Sequence, residues 1–215
     1  RILSSAASDV YKRQHYMIAE KSEDVEKIAF EIFREMQMPV IIKPLDKGSS
    51  VGISIARDYE SLVNTLTSLF EYVDRLLIEE YIKGKEASVG VIDKFREQDI
   101  YSLLPIEIIT PDGKEFFDYE CKYNGETEEN CPGTFSKEEN QHLQDAAKKA
   151  HEALGLRHYS RSDFIIHPKR GIFILETNSL PGLTQESLLP KSLDSVGLKY
   201  EDFLKHIVTL ALDKN

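Results

Sequence analysis

At 215 residues the chain is long enough for one large domain or two small ones with real cores. Its 41% hydrophobic and 30% charged residues are ordinary for a soluble globular protein. A net charge of −10 argues against sequence-independent nucleic-acid binding, and no apolar run approaches the ~20 residues that span a bilayer.

Residues 1–14, RILSSAASDVYKRQ, show no sustained period and no apolar core of signal-peptide type. They read as a foreign leader resembling translated adapter sequence, with a frayed natural terminus as the alternative. HYMIAE (15–20) predicts a short strand. A helix follows with Ser22 as N-cap and a stripe of Val25, Ile28, Ala29, Ile32, Phe33 and Met36 at helical spacing. PVIIK (39–43) predicts a strand, PLDKGSS (44–50) a turn-rich loop, and VGISIA (51–56) a second strand. Asp58 caps a helix carrying Leu62, Leu66 and Leu69, and RLLIEEYI (75–82) is another strand. This half is a compact α+β unit with its boundary near Lys83-Gly84.

From Gly84 the pattern leans towards strands: residues 86–92, 100–110 and the stretch around Phe116–Glu120 alternate or run apolar. A loop rich in Asn, Gly, Glu and Pro spans 123–135. Ser136 with Glu139 forms a capping box for a helix bearing Leu143, Ala146, Ala150 and Leu154, which Gly155 ends. Strands at 159–167 and 171–178 follow, and the chain closes on a helix with Phe203, Leu204, Ile207, Val208 and Ala211. The two cysteines, Cys121 and Cys131, lack CxxC spacing and a His cluster, and read as reduced cytosolic thiols.

The chemistry concentrates in FILETNSLPGLTQESLLP (173–190). Glu176 and Asn178 stand two apart at the end of an apolar strand and so share a face. If 159–167 and 171–178 form a hairpin with Pro168 facing Gly171, Asp163 lies opposite Glu176 and Arg161 opposite Asn178. A three-residue loop would break that register. Like charges directly opposite are destabilising. Such a patch therefore needs a cation, or one carboxylate must stay protonated. The hard oxygen donors suit Mg²⁺. A second signal is IIKPLDKGSSVGISI: a strand delivers Lys43, and Gly48, Ser49 and Ser50 form a small-residue turn whose N–H groups could cradle an anion. It is not a Walker A motif, and a plain hairpin turn is the bland alternative.

Lys43 with GSSVG, then LIEEYIKGKE, YECKY, RSDF, LETNSLPGLT and ESLLP occur in this order. The set resembles the ATP-grasp superfamily and, within it, the D-alanine–D-alanine ligases. The resemblance implies two α+β subdomains, 15–83 and 84–215, that hold ATP between them. Residue by residue it implies Lys43 and Ser50 for phosphate, Glu79, Tyr81 and Ile82 for adenine, and Glu86 for ribose. Lys122 resembles a second nucleotide-contacting lysine, and the family often has Trp where this chain has Tyr81. Asp163, Glu176 and Asn178 match ligands of Mg²⁺ or Mn²⁺. Arg161 and the Gly182 N–H match the groups around the reacting carbonyl. Ser187 and Leu188 match the segment meeting the second substrate's carboxylate, and Ser49 and Tyr123 match a hydrogen-bonding group near its amine. The implied partners are ATP and D-alanine, with no nucleic acid and no membrane; the implied setting is cytoplasmic peptidoglycan synthesis, and dimers are common in the family. The family begins with a further domain that has no counterpart here, so the chain reads as the C-terminal two-thirds of a ligase. A D-alanine–D-lactate ligase and a non-catalytic nucleotide-binding module remain as alternatives.

Overall fold

The computed structural model of the chain describes residues 12–22, 24–46, 52–110 and 127–213. It divides into two compact units, one over Gln14–Lys83 and one beginning at Gly84. The first alternates β1 (Tyr16–Glu20), α1 (Val25–Glu35), β2 (Val40–Pro44), β3 (Ser54–Ala56), α2 (Tyr59–Phe70) and β4 (Arg75–Glu80). Its strands make an antiparallel sheet in the order β1-β4-β2-β3. Val40, Ile42, Leu76 and Ile78 project to one face and pack with Ala29 and Ile32 of α1 and Leu62 and Leu66 of α2. Each such leucine contributes about 1.5–3 kcal/mol on burial. Alternation sends Ile41, Lys43 and Glu79 to the other face.

Asp58 caps α2 in a reciprocal box with Ser61. The start of α1 departs from expectation, because Asp24 and not Ser22 is its N-cap. The Asp24 carboxylate accepts the Lys27 N–H at 2.9 Å, and the Ser22 hydroxyl accepts the Asp24 N–H at 3.3 Å, outside the helix. Phe33, expected in the core stripe, is 44% exposed and meets Tyr59 edge-on.

The second unit contains β5 (Lys85–Phe95), β6 (Gln98–Ser102), β7 (Ile106–Ile109), β8 (Glu128–Asn130), α3 (Lys137–Ala153), β9 (Tyr159–His167), β10 (Gly171–Asn178), α4 (Leu188–Ser195) and α5 (Tyr200–Leu212). The sheet runs β10-β9-β5-β7-β8, with β6 also pairing with β5. α3 opens on the Ser136–Glu139 box and ends near Gly155, which has φ +59°. Its Leu143, Ala146, Ala147 and Ala150 cover Val89, Val91, Phe164 and Ile174. A separate cluster with Leu103, Leu189, Leu193 and Phe203 seats α4 and α5.

Four expectations change here. The single strand over 100–110 is two, β6 and β7, broken at Leu103-Leu104-Pro105, where proline has no N–H for a ladder. Part of the loop read over 123–135 is β8, paired with β7. A further helix, α4, precedes the last one; Pro190 is its third residue, where no intrahelical N–H is required. Lys12, set aside with the leader, bridges to Phe173, and its carbonyl accepts the Ile174 N–H at 3.2 Å. The strand expected near residues 116–120 lies outside the described residues. Among the described residues no helix is long and apolar enough to cross a membrane.

His151 of α3 is buried between β5 and β9. Its Nδ1 is 2.8 Å from Ser160 Oγ, and its Nε2 is 3.1 Å from Asp93 Oδ1 but out of line for a hydrogen bond. Burial lowers its pKa below the ordinary 6.5, against the opposing pull of Asp93. The folded chain thus keeps His151 neutral at pH values where the unfolded chain protonates it. Its contribution is full above 6.5 and declines as pH falls below that value towards the lower folded pKa. Between pH 7 and 5, stability is expected to fall with a slope of up to about 1.4 kcal/mol per pH unit from this residue. His151→Gln should flatten that slope in urea titrations; an unchanged slope would assign the pH dependence elsewhere.

Candidate active site

β9 and β10 form a hairpin whose turn is one residue longer than the two-residue turn of the expected register. Gly171 faces His167 across a three-residue turn, and the ladder continues through Ile172/Ile166, Phe173/Ile165 and Ile174/Phe164. A bulge then adds Leu175 to β10, and beyond it Glu176 faces Asp163, Thr177 faces Ser162 and Asn178 faces Arg161. The pairings expected from sequence are present, reached through the bulge and not through the turn.

The bulge also decides which face carries the carboxylate. A one-residue slip moves every later side chain to the opposite face. Ile172 and Ile174 pack towards α3. Without the extra residue Glu176 would follow them into that apolar layer. With it, Thr177 takes the helix side and its hydroxyl meets Ser162 Oγ at 2.9 Å. Glu176 and Asn178 join Asp163 and Arg161 on the other face.

A hydrogen-bonded cluster results. Arg161 is bidentate to Asp163, with Nε to Oδ1 at 3.0 Å and Nη2 to Oδ2 at 2.8 Å. The Asn178 amide donates to Glu176 Oε1 at 3.2 Å and, more weakly, to Asp163 Oδ2 at 3.4 Å. From β5, the Ser88 hydroxyl donates to Asp163 Oδ1 at 2.6 Å. Burial alone would lower the Arg161 pKa, but Asp163, Glu176 and Glu129 together raise it above the ordinary arginine value, so the guanidinium stays charged.

Among the described residues no group of three or more His, Cys, Asp or Glu could hold a metal. The cluster offers two carboxylates and an amide. That set fits Mg²⁺, which binds through one or two carboxylates, keeps several waters and shares its shell with phosphates. A half-turn of the Asn178 amide would present its oxygen in place of its NH₂.

Other expected residues fall into two further groups. In the first unit, Lys43 forms an ion pair with the carboxylate of Glu79, which is only 2% exposed. Tyr81 follows β4, donating its N–H to the Pro39 carbonyl at 3.2 Å, and Ile82 is buried. In the second unit, Glu86 lies two residues from Ser88 on β5, so it shares that strand face. Ser187 is the N-cap position of α4, makes no side-chain cap bond, and meets Thr184 Oγ1 at 2.8 Å. A Cβ at Gly182 would stand 2.7 Å from Ser187 Oγ, so glycine permits that close approach. Leu188 is buried at the start of α4. Ser49, Ser50, Lys122 and Tyr123 lie outside the described residues.

Sequence reasoning missed Ser88 and the Lys191–Glu129 ion pair at 2.6 Å, which ties α4 to β8. A serine inside the apolar run EASVGVI, in step with Glu86, was the available signal for the first. It also missed Gly90, which faces Arg161. A Cβ there would stand 2.5 Å from Leu189 Cδ1 and 2.8 Å from Leu103 Cδ1, so glycine lets α4 rest on β5.

The fold is that of the ATP-grasp ligases. The VanG D-Ala:D-Ser ligase from Enterococcus faecalis aligns with a TM-score of 0.81 at 26% identity, over 96% of this chain and 59% of that one. The D-alanine–D-alanine ligase of Bacillus anthracis aligns at 0.78 and 31% identity, over 95% of this chain and 63% of that one. The chain belongs to the family described as the D-ala D-ala ligase C-terminus, which matches residues 7–209. Among curated relatives, the D-alanine–D-alanine ligase of Halalkalibacterium halodurans is 40% identical over 82% of this chain and 57% of its own length. That of Desulfotalea psychrophila is 35% identical over 86% of this chain and 57% of its own length. The chain thus spans less than two thirds of the relatives it matches.

Gly90→Ala is expected to destabilise the second unit by about 1–3 kcal/mol through overpacking. Urea unfolding measures this, and the double variant Gly90→Ala/Leu189→Ala should recover part of the overpacking cost. An unaffected Gly90→Ala chain would show that α4 does not depend on that approach.

Proposed function

We propose that this chain carries the nucleotide, metal and acceptor groups of an ATP-dependent ligase that joins two D-alanines, releasing ADP and phosphate, for a cytoplasmic step of peptidoglycan precursor synthesis. The observation that supports this most is the cluster of Arg161, Asp163, Glu176 and Asn178 on one sheet face in a chain of this family. Mg²⁺, or Mn²⁺ in its place, would be held by Asp163, Glu176 and Asn178 and would offset the charge of the ATP phosphates.

In this reading Lys43 and Ser50 meet the phosphates, with Lys122 as a second nucleotide contact. Glu79, Tyr81 and Ile82 form the adenine end, and Glu86 takes the ribose. The terminal phosphoryl passes to the carboxylate of the first D-alanine, where positioning and charge neutralisation do most of the catalysis. The amine of the second D-alanine attacks the acyl phosphate, and phosphate leaves. Arg161 and the Gly182 N–H would stabilise the oxyanion; loss of one such donor costs about 2.7–4 kcal/mol in a comparable site. Ser187 and Leu188 would receive the acceptor's carboxylate, with Ser49 and Tyr123 near its amine. The Lys43–Glu79 pair keeps a buried carboxylate compensated beside the lysine.

In a ligase carrying this chain as its C-terminal part, Glu176→Gln is expected to cut ADP release by about two orders of magnitude or more. Near-normal turnover would rule out the metal role. The chain as it stands is expected to bind Mg·ATP in calorimetry, and a folded sample without binding would contradict the nucleotide assignment. The acceptor is where a second reading enters, since one solved neighbour is a D-Ala:D-Ser ligase. Supplied with D-alanine, D-serine and D-lactate together at neutral pH, the ligase is expected to make mostly D-alanyl-D-alanine. Mostly ester or serine-containing product would overturn that choice.

A further inference from the structure

Asp163 receives hydrogen bonds from its own strand and from the strands on either side. Arg161 stands two residues away on β9 itself, so it and Asp163 can shift together about their own side-chain torsions. The Ser88 hydroxyl comes from β5, directly across the ladder, on a residue only 1% exposed. Serine has a single side-chain torsion before its oxygen, and the bond to Asp163 Oδ1 is the shortest in the cluster at 2.6 Å. Oδ1 thus holds Ser88 and Arg161 Nε, while Oδ2 holds Arg161 Nη2 and the distant Asn178 amide. Oδ2, the oxygen that the Asn178 amide reaches, is the one with the weaker outer contact.

We propose that Ser88 is a positioning residue for the metal: it pins Asp163 Oδ1 from the neighbouring strand so that Oδ2 stays directed towards Glu176 and Asn178. This rests on the reading of that cluster as a metal site. Groups that orient a ligating carboxylate are worth about 10–100-fold in metal affinity when removed. With Ser88 replaced by alanine, the Asp163 carboxylate loses its donor from β5. It can then swing with Arg161, and the geometry offered to a cation loosens.

The experiment is calorimetry of ADP binding to the chain, with and without Mn²⁺. The ratio of the two affinities reads the coupling between metal and protein, and by linkage it is the same from either side. Mn²⁺ is expected to tighten ADP binding by the parent chain. In Ser88→Ala that tightening should shrink by about tenfold, with metal-free ADP affinity unchanged. Ser88→Thr, which keeps the hydroxyl, should restore the parent ratio. If the alanine chain fails to fold, Ser88→Cys tests the same hydroxyl with nearly the same volume. Parent-like tightening in a folded chain without the hydroxyl would overturn the inference, as would an equal loss in the threonine variant. Absence of tightening in the folded parent would sink the metal reading itself, a result distinguishable because it needs no variant.

Discussion

Two carboxylates are held opposite one another on a single sheet face, and much of the second unit is arranged around that constraint. Unit charges 4 Å apart interact at about 4 kcal/mol under the screening typical of protein surfaces, so such a pair persists only with compensation. Arg161 supplies one positive charge through two hydrogen bonds to Asp163, and Asn178 offers NH groups to both acids. Taking one partner from a buried ion pair costs about 3–5 kcal/mol, which gives Arg161 a structural role. One guanidinium against two acids leaves net negative charge on that face.

The surrounding architecture follows from bringing those groups together without drowning them in the core. The helix side of the sheet is apolar and packed by α3. The site side is polar, and the bulge at Leu175 switches β10 from one regime to the other between Ile174 and Glu176. Gly90 then removes a side chain opposite Arg161, so that Leu189 can approach and seat α4 on the sheet. The loop of Gly182 and Ser187 enters through that helix. In the first unit the same logic is simpler: strict alternation in β2 and β4 buries Ile42 and Ile78 and leaves Lys43 paired with Glu79 on the opposite face.

Much of this was legible in the chain. Helical stripes with capping residues located α2 and α3, and the apolar runs ending at His167 and Asn178 located β9 and β10. The Asp163–Glu176 and Arg161–Asn178 oppositions were readable because both strands were. What escaped was local geometry that period alone does not encode. A three-residue turn combined with a bulge yields the same pairing as a two-residue turn without one, and nothing in ILET distinguishes them. Ser22 and Asp24 are both good N-caps two residues apart, and only the hydrogen bond to Lys27 decides. α4 was hidden by Pro190, which reads as a breaker until its place in the first turn is known. Ser88 was hidden by its small size among apolar neighbours, since its role depends on a residue seventy-five positions away.

The bulge sets Glu176 opposite Asp163, and we propose that the two share one cation. A crystal structure of the chain grown with ADP and Mn²⁺, with data collected at the manganese edge, addresses it directly. An anomalous peak within coordination distance of oxygens from both Asp163 and Glu176 is the predicted result. Manganese held by the nucleotide alone, or Glu176 turned towards α3 with Thr177 in its place, would contradict it.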